Sequence, residues 1–325
     1  MGNNQWHSFE EQLKLLKSRG LAVENTTVAL TYLERIGYYR LSGYWYPFRK
    51  MKTQPAGHSY REDEFIEGSR FEEAVELYVF DKKLRLLALD ALERIEMAVR
   101  VDVAHLLGRY NAFSYYDVKF FDRNFTTRSI RKKDGATGFQ IWHERFNSLQ
   151  YRARKNPFVE HNLEKYGRLQ IWVAIEILDF GSISQLYAGL KYQDRSIIAA
   201  KYKMKENDFK SLLKSLNYIR NVSAHHSRLW NINVVEFASS FQLDSNWQQV
   251  SGSRAFYYFC GMQYLLNTIC PQSTWKERFK EHLSSFPKVT VCTASLEDFG
   301  ITNNIEMWEL WKLWVTILIY ENIVL

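Results

Sequence analysis

The sequence contains little cysteine and little proline. There are 3 cysteines and 5 prolines among its 325 residues. An odd number of widely spaced cysteines argues against a disulfide framework and is typical of reduced thiols in the cytoplasm. The scarcity of proline, together with a hydrophobic content of 46%, indicates a folded chain rather than a disordered one.

Signals for secretion and membrane insertion are also missing. The first residues do not form an apolar stretch with a cleavage site. Residues 307–325 are apolar, but Glu309, Lys312 and Glu321 interrupt them and argue against a membrane span. We therefore expect a cytoplasmic protein that makes no membrane contact.

Several catalytic signatures are absent as well. The sequence has no Gly-rich phosphate loop of the Walker or Rossmann type and no nucleophile elbow. No Cys/His set has the spacing of a zinc site. His225 and His226 are adjacent, so on a helix they point in different directions and make a poor metal pair. We therefore expect neither a metal site nor a cofactor.

Positive charge and aromatic rings are abundant instead. The formal net charge is +7, and aromatic residues make up 16% of the chain. A basic balance fits a polyanionic partner such as nucleic acid. The rings can serve either a core or a binding surface.

Helical periodicity dominates the chain, and no convincing run of alternating strands is present, so the predicted fold class is all-α. We expect helices at residues 8–19, 25–36, 71–107, 169–180, 184–189, 195–202 and 254–269. Another begins near residue 207, and a capping box of Thr274 and Glu277 opens one more. Trp308, Trp311 and Trp314, at three-residue spacing, are typical of a packed helix face.

The remaining segments set the domain organisation. Residues 53–69 are predicted to form an exposed loop. Residues 111–165 are predicted to form a basic insertion with short helices. We expect a single domain over residues 1–325, with a candidate N-terminal helical subdomain at residues 1–70.

The candidate catalytic residues are Arg220, Asn221 and His225, at the end of the helix that begins near residue 207. Arginine matches phosphate geometry, and histidine exchanges a proton near neutral pH. On an ideal helix Arg220 and His225 lie about 140° apart, whereas Asn221 and His225 share a face. This geometry favours two copies that converge on one cleft. The alternative is that the cations only complement the dipole of a helix C-terminus.

A second Arg/His pair of the same spacing occurs at Arg100 and His105. The residues between them are mostly apolar, and Glu96 stands four positions before Arg100, in the favourable orientation for an ion pair. We interpret Glu96 and Arg100 as an ion pair that stabilises the fold or holds neighbouring residues in place. The alternative is that the two residues lie close to the catalytic helix and support the candidate site there.

Two further regions are candidates for RNA contact. The basic clusters are suited to binding RNA phosphates. The alternative is that they are solvated faces of the insertion. The clusters comprise Arg131, Lys132, Lys133, Arg152, Arg154 and Lys155. The ring-rich residues 38–48 suit base stacking, but core packing is the favoured interpretation.

Arginine, a polar residue and a histidine five positions after the arginine resemble the signature of HEPN ribonucleases. Most of the chain, apart from the basic stretch 111–165, is also similar to the abortive-infection family of bacterial phage defence (AbiD/AbiF-like). The similar segments are LERIGYYRLSGY at 33–44, LYVFDKKLR at 77–85, RIE at 94–96 with Arg100, ILDFG at 177–181, RNVSAHH at 220–226 and the segment 308–311.

This resemblance implies a HEPN-like helical bundle with additional helices, a homodimer, and RNA cleavage without a metal. The neighbouring ribose 2′-OH would attack the scissile phosphate. His225 would act as acid or base, Arg220 would stabilise the phosphoryl charge, and Asn221 would orient the imidazole or hold the phosphate. His226 is a supporting candidate as a second proton carrier, with packing or capping of the helix as the favoured interpretation. The alternative function is a non-catalytic module that binds RNA or a partner protein.

Overall fold

The computed structural model describes residues 5–54, 57–234, 243–291, 294–301 and 308–312. Within these ranges the chain forms thirteen α-helices, short 3-10 turns and one two-stranded sheet, so the predicted all-α class is confirmed. In chain order the helices are α1 (Phe9–Ser18), α2 (Thr26–Ile36), α3 (Tyr38–Trp45), α4 (Phe71–Tyr110), α5 (Arg123–Thr127), α6 (Gly138–Ala153), α7 (Pro157–Tyr166), α8 (Ile171–Ala174), α9 (Phe180–Gly189), α10 (Tyr192–Lys201), α11 (Glu206–Ala224), α12 (Ala255–Ile269) and α13 (Trp275–Ser284).

Helix α4 is the centre of the fold. Its 40 residues extend for about 60 Å, and it packs against α3 and against each helix from α8 to α13. Because neighbours surround it, apolar residues occur on several of its sides, including Phe71, Leu77, Leu92, Ile95 and Val99. The predicted long scaffold helix over residues 71–107 is confirmed.

The N-terminal helices follow the predicted capping signals. The Ser8 hydroxyl accepts the N–H of Glu11, and the Glu11 carboxylate accepts the N–H of Ser8, so the capping box is complete. Asn25 caps α2 by accepting the N–H of Val28. Gly37 ends α2 with a φ of 90°, a conformation that L side chains rarely adopt.

The exposed loop predicted at residues 53–69 is wrong in part, because a hairpin occupies most of it. Strand β1 (Arg49–Thr53) pairs antiparallel with β2 (Ser59–Phe65). The strands carry few apolar residues, and charge pairs link them, such as Lys52 to Glu62 at 3.1 Å. Because the two strands have no alternating apolar pattern, they could not be predicted from the sequence.

The ring-rich segment is divided between core and surface. Tyr44, Trp45 and Phe48 are buried, which agrees with the favoured core interpretation. Tyr39, in contrast, is 92% exposed, and Tyr46 is about half exposed. Most of these rings lie on α3, which packs on α4.

The helix predicted over residues 169–180 is wrong in part, because these residues do not form one continuous helix. The structure has the short α8, a 3-10 turn at Ile175–Ile177, and then α9, which begins at Phe180 and continues through Gly181. The Asp179 side chain accepts the N–H of Ser182 over 2.8 Å and is therefore the N-cap of α9. Gly181 follows the last residue of the predicted helix, but it lies in the first turn of α9.

Within the predicted insertion at residues 111–165, α6 is longer than expected and reaches the core. It packs on α9. Trp142 is buried, and its indole N–H donates to the carbonyl oxygen of Ser182 over 2.8 Å. Tyr115 and Phe146 are buried beside it. The boundaries of the insertion and of the N-terminal subdomain stay predictions.

The C-terminal helices α12 and α13 occur where expected, but the capping box of α13 is not formed. Thr274 has a ψ of 16° rather than an extended one, and its side chain caps nothing. Trp308 and Trp311 are buried, whereas Trp314 lies outside the described residues. Cys260 and Cys270 are free thiols, and Cys292 lies outside the described residues.

Candidate active site

Helix α11 carries Arg220 and Asn221 in its last turns, and His225 caps its end. The apolar residues of α11 recur at helical spacing and form one buried face, which comprises Phe209, Leu212, Leu213, Leu216 and Ile219. Burial of this face fixes the rotation of α11 about its axis. The polar residues of the last turns are thereby held away from the core.

The end of α11 is a Schellman motif with histidine in the position that glycine usually takes. The N–H of His226 donates to the carbonyl oxygen of Ser223, and the N–H of Ser227 donates to that of Val222. His226 has a φ of +58°. A left-handed conformation costs a residue with a Cβ about 1–2 kcal/mol, so surrounding contacts must hold it.

Those contacts centre on a buried carboxylate. Asp81 on α4 accepts the backbone N–H of Trp230 over 2.8 Å and that of Leu229 over 3.1 Å. The Tyr44 hydroxyl donates to it over 2.7 Å, and Arg85 pairs with it. Burial and the nearby Asp81 carboxylate raise the pKa of Tyr44 far above its ordinary value, which keeps the hydroxyl protonated as the donor.

Helix α3 holds the same segment from a second side. The Arg40 guanidinium donates to the carbonyl oxygen of His226, and the Arg228 guanidinium donates to that of Gly43. A Cβ at Gly43 would lie 3.2 Å from the Arg228 guanidinium. We call these residues, Arg40, Gly43, Tyr44, Asp81 and Arg85, the α11 clamp. They fix the chain directly after His225.

Arg220, Asn221 and His225 line one cleft of about 480 Å³. The other lining residues are Ile141, Arg145, Asp179, Phe180, Gly181, Ser182, Gln185 and Asn217. His225 is exposed, and Arg220 and Asn221 are half-buried. A guanidinium, an amide and an imidazole thus face the same solvent-filled space.

The angle expected between Arg220 and His225 does not keep them apart. The guanidinium of Arg220 donates to Oδ1 of Asn221 over 3.4 Å. Asn221 is on the face that His225 shares, and Arg220, Asn221 and His225 all line the same cleft. An angle measured between Cα positions underestimates the reach of arginine. A single chain therefore brings the three groups together.

Asp179 and Arg145 form an ion pair in the same cleft. Burial by itself raises the pKa of Asp179, but hydrogen bonds from Arg145 and Ser182 outweigh it and hold that pKa below its ordinary value. The carboxylate is therefore ionised, and Arg145 neutralises it. Arg145 remains half exposed, so its guanidinium is accessible to a ligand.

Arg145, Gln185 and Asn217 were not identified from the sequence. Asn217 had a usable signal, since it precedes Asn221 by four positions and shares its helical face. Arg145 lies in the predicted insertion and enters the cleft only because α6 packs on α9. No local pattern reports that contact.

The other predicted residues lie elsewhere. His226 lines a different pocket, described below. Glu96 and Arg100 form the predicted ion pair at 2.7 Å. Arg100 also donates to the carbonyl oxygen of Leu178 over 3.1 Å, directly before Asp179. The pair thus fastens α4 to the segment that leads into the cleft.

None of the six residues of the basic clusters lines the cleft. Arg131 pairs with Asp134 and Glu144, both at 2.8 Å. Arg154 lies over the ring of Tyr151 at 3.8 Å. The other four, Lys132, Lys133, Arg152 and Lys155, are exposed and form no ion pair with any described residue.

In the described ranges no group of three His, Cys, Asp or Glu side chains is placed to hold a metal ion. Across the same ranges no helix combines the length and the apolar character needed to cross a membrane.

These features define a helical protein whose central helix α4 and clamp present an arginine, an asparagine and a histidine in one cleft. A family model described as Abi-like protein matches residues 31–231. The match covers more than half of the chain, which therefore belongs to this abortive-infection family. All residues of the cleft and of the α11 clamp lie within it. No curated protein and no solved structure matches the chain.

Proposed function

We propose that the cleft is the active site of an RNA endonuclease that acts in abortive infection without a metal ion. The observation that carries the proposal is the convergence of Arg220, Asn221 and His225 on one cleft of about 480 Å³. Family membership supports the biological role. The net charge of +7 supports a polyanionic substrate.

The proposed reaction is an internal transfer at phosphorus. The oxygen of a ribose 2′-OH attacks the adjacent phosphorus, the bond to the 5′-oxygen breaks, and the products are a 2′,3′-cyclic phosphate and a 5′-OH end. His225 takes the proton of the 2′-OH or gives one to the leaving 5′-oxygen. Arg220 stabilises the charge that builds on the phosphoryl oxygens.

Asn221 and Arg145, which line the same cleft, have supporting roles in the proposed reaction. Asn221 orients the imidazole or holds the phosphate, and it also accepts from Arg220. Arg145 supplies a second guanidinium to the cleft and cancels the charge of Asp179, which would otherwise repel a phosphate. Outside the cleft, the exposed residues of the basic clusters are candidate contacts for the rest of the RNA strand.

A homodimer remains part of the proposal. The dimer is supported by the family resemblance of the Arg220–His225 motif. The angle between the two residues on an ideal helix no longer argues for two copies, because one chain supplies both groups to a cleft. A second copy would then place another complete cleft beside the first rather than complete it.

The decisive experiment incubates RNA with the protein in EDTA and compares wild type with His225→Ala. His161→Ala is the matched control, because His161 is an exposed histidine on α7 that does not line the cleft. We expect wild type and His161→Ala to leave 2′,3′-cyclic phosphate ends and His225→Ala to lose cleavage. Cleavage that requires a divalent metal, or that survives His225→Ala, contradicts the proposal. Tight RNA binding by all three proteins without cleavage identifies a non-catalytic binding module.

A further inference from the structure

A second pocket lies on the other side of α11 from the cleft. It has a volume of about 330 Å³ and is enclosed by α2, α3, α4 and the end of α11. Ser223 and His226 are its lining residues from the α11 segment. Ser223 is about 200° around the helix from Asn221, so the two pockets are separated by α11 itself. We call this second one the basic pocket.

Cations dominate the lining of the basic pocket. Arg35, Arg40, Lys82 and Arg85 line it, and no lining residue is acidic. Arg85 is neutralised by Asp81. Arg35, Arg40 and Lys82 have no carboxylate within ion-pairing distance among the residues that the structure describes. Three uncompensated cations around one concavity repel each other, and a bound anion would relieve that repulsion.

A buried hydroxyl in the same pocket lacks a partner. Ser223 is 1% exposed, and its Oγ forms no hydrogen bond in the described structure. An unsatisfied buried hydroxyl costs about 1–3 kcal/mol. The oxygen is shielded from solvent, so it would donate to a ligand oxygen in the pocket only after a change of its χ1 rotamer. This observation is independent of the charge.

The rest of the lining is apolar and aromatic. Ile36, Leu86 and Leu89 contribute side chains, together with the ring of Tyr78. Leu86 is 57% exposed, although it is a large apolar residue. A bare phosphate would use only the cations, whereas a pocket of this size and composition suits a small organic ligand.

We propose that the basic pocket binds a phosphorylated nucleoside. The phosphate lies against Arg35, Arg40 and Lys82, and the base or ribose packs on Tyr78 and Leu86. A rotation of the Ser223 side chain would let its hydroxyl donate to the phosphate. Two sources share this chemistry: one nucleotide unit of an RNA strand, or a free nucleotide.

The pocket is coupled to the cleft through one contact. The Arg40 guanidinium donates to the carbonyl oxygen of His226, the residue after His225. A phosphate that draws Arg40 toward itself weakens that hydrogen bond. The left-handed backbone of His226 is then held less firmly. Only this coupling rests on the proposed function; the binding of the ligand does not.

The test measures binding without requiring cleavage. The probes are ADP, adenosine, and a fluorescent 2′-O-methyl RNA octamer, which lacks the 2′-OH needed for internal attack. The proteins are wild type, Arg35→Ala, Lys82→Ala and the control Lys83→Ala. Lys83 is exposed, adjacent to Lys82 and outside the pocket. Circular dichroism verifies that each variant is folded.

We expect wild type and Lys83→Ala to bind at least one phosphorylated probe, and Arg35→Ala and Lys82→Ala to bind it at least tenfold more weakly. Adenosine should bind weakly to all. If Arg35→Ala and Lys82→Ala lose affinity only for the octamer, the ligand of the pocket is an RNA strand. If they lose affinity for ADP as well, the ligand is a free nucleotide.

The proposal is overturned if wild type binds neither phosphorylated probe, or if Arg35→Ala and Lys82→Ala bind as wild type does. Failure of the ribonuclease proposal gives a different result. In that case RNA stays intact in the His225 experiment, while the dependence of binding on Lys82 is unaffected.

Discussion

The backbone N–H of Trp230 donates a hydrogen bond of 2.8 Å to Oδ1 of the buried Asp81. The two residues are 149 positions apart, so this bond joins the segment after the candidate histidine to the central helix. Asp81 also accepts from Tyr44 and pairs with Arg85. The geometry of the cleft therefore depends on a charge that lies outside it.

Asp81→Asn should destabilise the protein by about 3 kcal/mol or more, because it leaves the buried Arg85 without its counter-charge. The measurement is urea unfolding at neutral pH. Asp63→Asn is the control: Asp63 pairs with Arg19 and Arg49, but it is 63% exposed, and we expect a loss of about 0–1 kcal/mol. Equal losses for the two variants would contradict the role of Asp81 as a buried anchor.

Arg145→Ala should lower the kcat/KM of RNA cleavage by about tenfold, equivalent to about 1.4 kcal/mol. The substitution removes a cation from the cleft and leaves the charge of Asp179 uncompensated. Folding should be preserved, since Arg145 is half exposed and Asp179 keeps its capping bond to Ser182. Initial rates at several RNA concentrations provide the measurement.

The control for Arg145 is Arg123→Ala, which removes an exposed arginine from α5, outside the cleft. It should cleave as wild type does. If both variants lose the same activity, the effect is one of overall charge, and Arg145 has no specific place in the cleft.

Features of the fold that depend on neighbouring residues were predictable from the sequence, whereas features that depend on distant contacts were not. The apolar face of α11 was predictable because burial on one side imposes a period of 3.6 residues. The start of α9 was not predicted, because Gly181 resembles a helix end, whereas the capping bond of Asp179 decides the boundary. The β1–β2 hairpin gave no signal, because its strands are mostly exposed.

The candidate site shows the same division. The motif residues Arg220, Asn221 and His225 were found from their types and spacing. Arg145 was not, because its place in the cleft depends on the packing of α6 against α9. The role of Asp81 was not predicted either, because the residues that donate to it, Leu229 and Trp230, are far away along the chain.

Mixing the variants Arg220→Ala and His225→Ala tests how the proposed active site is assembled. We expect light scattering to give twice the chain mass of 38.6 kDa. Arg220→Ala mixed with His225→Ala, after subunit exchange, should remain inactive, since each chain supplies both groups to its own cleft. Restored cleavage would show instead that the arginine and the histidine of one site come from different copies. A monomer that cleaves RNA would remove the dimer from the proposal.

His282 should make the protein less stable in mild acid. Burial lowers its pKa to about 4, with Lys83 adding to the decrease and the hydrogen bond to the Phe80 carbonyl opposing it. A histidine in the unfolded chain takes up its proton near pH 6.5. Between these values the unfolded state binds more protons, so the contribution of His282 to the stability falls as the pH falls from about 6.5 to about 4, and this contribution changes no further below that.

The size of this effect should be about 1–2 kcal/mol at pH 5, after allowance for partly solvated surroundings. The measurement is urea unfolding at pH 7 and pH 5 for wild type and His282→Gln, whose amide keeps a donor for Phe80 but does not titrate. The variant is expected to be weaker at pH 7, because it loses the ring stacked on Phe80 at 4.2 Å. Its further loss at pH 5 should be smaller than that of wild type. The remaining loss belongs to other groups such as His143, whose pKa burial also lowers. Parallel losses in the two proteins would show that His282 does not resist protonation in the folded state.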